Sequence, residues 1–79
     1  MKAIRRLGTT PTERKETTGV QGSPDILELD DGSFAVIGLD ITERLGRQPL
    51  PDAKCAPNER IVRLSRKTLM AARKDILDI

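Results

Sequence analysis

The stretch Pro24-Asp25-Ile26-Leu27-Glu28-Leu29-Asp30-Asp31-Gly32-Ser33-Phe34-Ala35-Val36-Ile37-Gly38 sets two β-prone runs on either side of Asp31-Gly32. Asp-Gly accepts the positive φ that both centres of a type I′ turn require, and that turn matches the twist of paired strands. A β-hairpin is therefore predicted, with Leu29 facing Phe34, Glu28 facing Ala35, Leu27 facing Val36 and Ile26 facing Ile37. Period two then gathers Leu27, Leu29, Phe34 and Val36 on one face, the expected core surface. The other face carries Ile26 and Ile37 beside Glu28 and Ala35, and Leu39 and Ile41 continue the parity of Ile37. Either Gly38 marks a bulge that switches the strand's inward parity, or both faces of the hairpin's open end are covered.

Beyond the hairpin, residues 40–46 read as one helical turn, with Thr42 as capping candidate and Gly46 as stop. Pro49, Pro51 and Pro57 make the next stretch a loop. Residues 59–64 read as a strand, and Ser65 caps a helix over about residues 66–74. Leu69, Ala72 and Ile76 recur at helical spacing with Met70 and Leu77 beside them. Val62, Leu64 and Leu69 complete the expected core. On the N-terminal side, residues 1–22 hold too little apolar area to offset roughly 1–2 kcal/mol of backbone entropy per ordered residue, and are expected to form a disordered arm. The expected fold class is α+β: residues 23–79 form one small domain, a three-stranded antiparallel sheet built from the hairpin and a third strand, covered on one face by a C-terminal helix.

At 79 residues the chain has room for one thin core, and Phe34 is its only aromatic residue. There is no histidine, and Cys55 is the only cysteine, so neither an intramolecular disulfide nor a structural zinc set is available. Lys2, Arg5 and Arg6 precede no apolar run, so neither a signal peptide nor a membrane span is expected, and the cytoplasm is the default location. The net charge of +2 is unevenly spread: +3 over residues 1–20, −5 over 21–53 and +4 over 54–79. The basic end could meet an anion, or could pair with the acidic middle within one molecule or between two.

Residues 24–29, 32–42, 59–64 and 66–69 together resemble a group of short uncharacterised proteins from streptomycetes and other actinobacteria. The likeness covers about the last 55 residues. It implies a shared fold and a bacterial cytoplasm, and carries no activity to particular positions. Members often have a cysteine directly before the Pro-Asp pair, where Ser23 stands here.

No constellation of reactive residues points to catalysis, to a metal or to a cofactor, and no small-molecule substrate is expected. Glu28, Asp30 and Asp31 lie in and beside a turn, where acidic residues belong for backbone reasons. Cys55 has Lys54 beside it but no histidine to serve as base, which favours a plain free thiol. Gly19, Gly22 and Gly32 match neither nucleotide fingerprint. Two surfaces remain. Ile26, Ile37, Leu39 and Ile41 cannot all point at one covering helix, which makes them a candidate protein interface. Arg60, Arg63, Arg66, Lys67, Arg73 and Lys74 form a candidate surface for an anion or an acidic partner. The expected function is a non-catalytic accessory protein that self-associates or docks on a regulatory partner, possible nucleic-acid binding by the basic end being the alternative.

Overall fold

The computed structural model of the chain describes residues 1–16 and 24–79. The elements follow in the order β1 (Ala3–Arg6), β2 (Asp25–Leu29), β3 (Phe34–Ile37), β4 (Leu39–Asp40), α1 (Thr42–Leu45), β5 (Val62–Arg63), α2 (Arg66–Ala71) and α3 (Arg73–Leu77). β1, β2 and β3 form an antiparallel sheet in that order, while β4 and β5 pair in a separate two-stranded ladder. The chain is thus α+β, with a three-stranded antiparallel sheet and C-terminal helices, as its sequence predicts. The third strand is not the expected one.

That strand comes from the N-terminus, which corrects the expectation of a disordered arm; residues 17–22 of that arm lie outside the described residues. β1 pairs with β2 because charges complement across the ladder. The Arg5 Nε lies 2.6 Å from Glu28 Oε1, and Arg6 Nε donates to both carboxylate oxygens of Asp25 at 2.9 and 2.8 Å. Opposite charges on facing strands favour this pairing over solvation. A bulge between Ala3 and Arg5 sets the register, and the Leu7 N–H bonds to the Ile26 carbonyl at 2.8 Å, so the pairing continues past β1. Residues 59–64, expected as the third strand, contribute only the two-residue β5, which pairs with β4 (Leu39 opposite Arg63, Asp40 opposite Val62).

The segment after β1 is ordered by local chemistry. Thr10 and Glu13 form a reciprocal capping box around Pro11: the Glu13 N–H donates to Thr10 Oγ1 and the Thr10 N–H to Glu13 Oε1, both at 3.1 Å. One helical turn follows and closes at Lys15, which takes a left-handed φ of 57°. The Glu16 N–H bonds to Pro11 O and the Lys15 N–H to Thr12 O, the bonding of a Schellman closure.

The hairpin forms where expected, but with a different loop. The Gly32 N–H bonds to Leu29 O at 3.1 Å and the Leu29 N–H to Ser33 O at 2.9 Å, while Gly32 sits at φ 87° and Asp31 has no positive φ. This is a three-residue loop closed by a left-handed glycine rather than a type I′ turn. Glu28 therefore faces Phe34, Leu27 faces Ala35, Ile26 faces Val36 and Asp25 faces Ile37. A one-residue slip redistributes side chains between faces. Phe34 and Val36 now share a face with Ile26, and are exposed, whereas Leu27 and Leu29 stand half-buried on the other.

The core is correspondingly different from the expected one. Leu7, Ile26 and Ala72 are its buried apolar residues, with Leu64 packed against them. Val62 and Leu69, expected inside, are exposed. The helix predicted over 66–74 is two short helices broken at Ala72, whose φ and ψ of −82° and −8° keep it helical only locally. Ser65 caps α2 as expected, accepting from the Thr68 N–H at 3.0 Å. Asp75 on α3 accepts from the Gly8 N–H at 2.6 Å, tying the end of β1 to the helix. No helix among the described residues is long and apolar enough to cross a membrane.

Candidate functional site

The four residues of the candidate interface do not lie on one surface. Ile26 is 7 % exposed and belongs to the core, so it is not available to a partner. Ile37 and Leu39 are exposed, and Ile41 is half-buried, its N–H bonded to Ile61 O at 2.9 Å. Ile41 also lines, with Arg44, Leu45 and Arg63, a shallow depression of about 270 Å³.

Between Ile37 and Leu39, Gly38 lets the chain pass from β2 to β5. A Cβ placed there would lie 2.3 Å from the Arg63 carbonyl oxygen, so only glycine permits this approach. Within β3, the bond at Leu29 and Ser33 makes the odd-numbered residues the ones that exchange hydrogen bonds with β2. The bond from Ile41 to Ile61 makes the odd-numbered residues of β4 the ones that face β5. The backbone groups of Phe34, Val36 and Asp40 consequently point to the opposite edge. That edge of β3 has no strand neighbour among the described residues.

The six candidate cations divide into two groups. Arg60 is engaged: its Nε lies 2.9 Å from Asp40 and its Nη2 3.1 Å from Glu43. Lys67 donates to the Arg14 carbonyl at 2.7 Å, so it helps fold the N-terminal turn onto α2. Arg63, Arg66, Arg73 and Lys74 are exposed and make no ion pair among the described residues. Leu69, Met70, Ile76 and Leu77 are exposed on α2 and α3, the helices that also carry Arg66, Arg73 and Lys74. A cleft of about 250 Å³ lies between α3 and the sheet, lined by Leu7, Ile26, Phe34, Ile76 and Ile79.

Two buried polar junctions escaped sequence reasoning. Glu16 accepts from Ser65 Oγ, from Thr68 Oγ1 at 2.6 Å and from Arg14 Nε at 2.8 Å. These donors, Ser65 foremost, hold its carboxyl at about 2. Arg14, itself buried, also donates to the carbonyls of Thr9 and Pro24. The second junction centres on Thr42, fully buried: its hydroxyl donates to Asp40 Oδ1 and accepts from the Ile61 N–H, both at 2.7 Å. Asp40 rather than Thr42 supplies the side-chain acceptor at the start of α1. The Thr42 hydroxyl and N–H, then Arg60, hold the Asp40 carboxyl at about 2. Thr10-Pro11-Thr12-Glu13 was the legible signal for the first junction, because S/T-x-x-E marks a helical start.

The acidic turn residues are engaged by backbone donors: Asp31 accepts from the Ser33 N–H within the loop at 2.9 Å, and Asp30 accepts from the Lys2 N–H beside β1 at 3.2 Å. Cys55 is a free, half-buried thiol that donates to Glu59 O at 3.2 Å, in a loop organised by Arg47, which donates to Ala56 O and Glu59 O. Among the described residues, no group of three or more His, Cys, Asp or Glu side chains could hold a metal ion. The chain matches no known family model, no curated protein and no solved structure.

Proposed function

We propose that this chain is a non-catalytic accessory protein of the bacterial cytoplasm, and that it acts by docking on an acidic surface of a regulatory partner. The carrying observation is the pair of helices α2 and α3, where Leu69, Met70 and Leu77 stand exposed beside Arg66, Arg73 and Lys74, which make no ion pair among the described residues. Exposed apolar anchors beside a surplus of cations, four basic residues against Asp75 and Asp78 over residues 66–79, suit a groove whose rim is acidic. Catalysis finds no support in the displaced carboxyls: Glu16 and Asp40 are held by hydroxyls at structural junctions, and the sequence offers no histidine to act as base.

The test is recovery of the partner from the native host with tagged full-length protein. Met70→Glu, and separately the pair Arg66→Glu with Arg73→Glu, should weaken its retention by at least roughly tenfold. Undiminished retention by both overturns the reading. The four uncompensated cations favour one alternative, a weak nucleic-acid accessory. Titration with duplex DNA separates the two, since phosphate contacts make affinity fall steeply with salt, by a logarithmic slope of about 0.9 per contact.

A further inference from the structure

The unpaired edge of the strand running from Phe34 to Asp40 has features that the rest of the surface lacks. Residues 33–39 contain no charge and no proline, the two devices that normally keep a free edge from pairing. The sheet's other edge, β1, is protected by charge and by a bulge: Arg5 and Arg6 lie on it, and its register shifts between Ala3 and Arg5. Two copies paired through β1 would set arginines near arginines. Two copies paired through β3 would not.

We propose that the free edge of β3 pairs with the same edge of a second copy of this chain, related by a two-fold axis, so that two three-stranded sheets join into one of six strands. This deepens the interaction reading, on which it rests, by naming a surface and an occupant. Ladder parity supplies the fit. The outward backbone groups belong to even-numbered residues, so even-numbered residues of one chain oppose even-numbered residues of the other. With Val36 on the two-fold axis, Val36 opposes Val36 and Phe34 opposes Gly38 on one face, while Ala35 opposes Ile37 and Ser33 opposes Leu39 on the other. No charge enters the pairing, and an isologous interface demands such self-complementarity. A helix seated on this edge would leave the backbone groups of Phe34 and Val36 unpaired, whereas a strand satisfies them.

The apolar side chains next to this edge, Phe34, Val36, Ile37 and Leu39, are all exposed in the single chain.

Sedimentation of the full chain from micromolar to submillimolar concentration should give twice the 8.7 kDa chain mass. Val36→Lys and Val36→Pro should each raise the dissociation constant by at least roughly tenfold, the proline because it removes an outward N–H without touching a bond to β2. Amide exchange in the unmodified protein provides a readout independent of the variants' folding. The Phe34 and Val36 amides point away from β2, so their protection should rise with protein concentration. A chain of single mass throughout, or a dimer in which these two amides exchange freely, overturns the proposal. Failure here is distinguishable from failure of the docking reading, because Met70, Arg66 and Arg73 lie on other elements and their substitution is scored by partner retention rather than by mass.

Discussion

Glu16 illustrates how much one side chain can join. Its carboxylate receives the hydroxyls of Ser65 and Thr68 at the start of α2 and the guanidinium of Arg14. A carboxyl held at about 2 when folded and near 4.5 otherwise contributes stability that is complete above pH 4.5 and lost as pH falls through the folded value. Asp40, at about 2 against 3.8, adds to the same acid window. Thermal melts should therefore drop steeply between about pH 4.5 and pH 2. Glu16→Gln should melt a few degrees lower than the native protein at neutral pH and lose less on acidification, retaining only the Asp40 share of the slope. Equal acid sensitivity in the two proteins would show that Glu16 is not the group responsible.

The crossing at Gly38 and the pairing of β1 decide how the elements are joined. Gly38→Ala puts a methyl group against the Arg63 carbonyl, so β4 and β5 must separate. The expected cost is about 1–3 kcal/mol, the usual range for forcing atoms into filled space, and a denaturant midpoint measures it. An unchanged midpoint would mean that the β4–β5 ladder contributes nothing. For β1, the Leu7 amide, bonded to Ile26 O, should exchange slowly in the native protein, since opening it requires Leu7 to leave the core. Fast exchange there would return residues 1–8 to the arm that composition alone suggests. The reason composition misleads is specific: β1 is held by Arg5 and Arg6 against Glu28 and Asp25 and by one buried leucine, and a count of apolar residues registers none of those ion pairs.

Across the whole molecule, burial is scarce: three apolar residues are buried, and fourteen large apolar ones are exposed among those described. So thin a core leaves association as the available source of further burial. The melting temperature should accordingly rise with protein concentration, because mass action stabilises whatever state the folded chain forms with its copy. Scanning calorimetry over a hundredfold range of concentration reads this directly. A constant melting temperature would mean that the single chain is self-sufficient.

What the sequence determined by itself was local. Asp31-Gly32 between two β-prone runs implied a hairpin, Ser65 implied a helix start, Gly46 a stop, and the α+β class followed from their order; each depends on residues within a few positions of one another. The candidate site was legible only in part: Ile37, Leu39, Arg63, Arg66, Arg73 and Lys74 are exposed, whereas Ile26 is buried and Arg60 and Lys67 are occupied within the fold. Tertiary structure decided the loop length, and with it which face of the hairpin turns inward, because a change of one residue exchanges the faces. It also decided the third strand and the position of residues 1–16, because both rest on pairs such as Arg6 with Asp25 and Glu16 with Thr68, far apart along the chain. Such contacts depend on closing long loops, whose outcome turns on a balance among competing pairings that no local pattern contains.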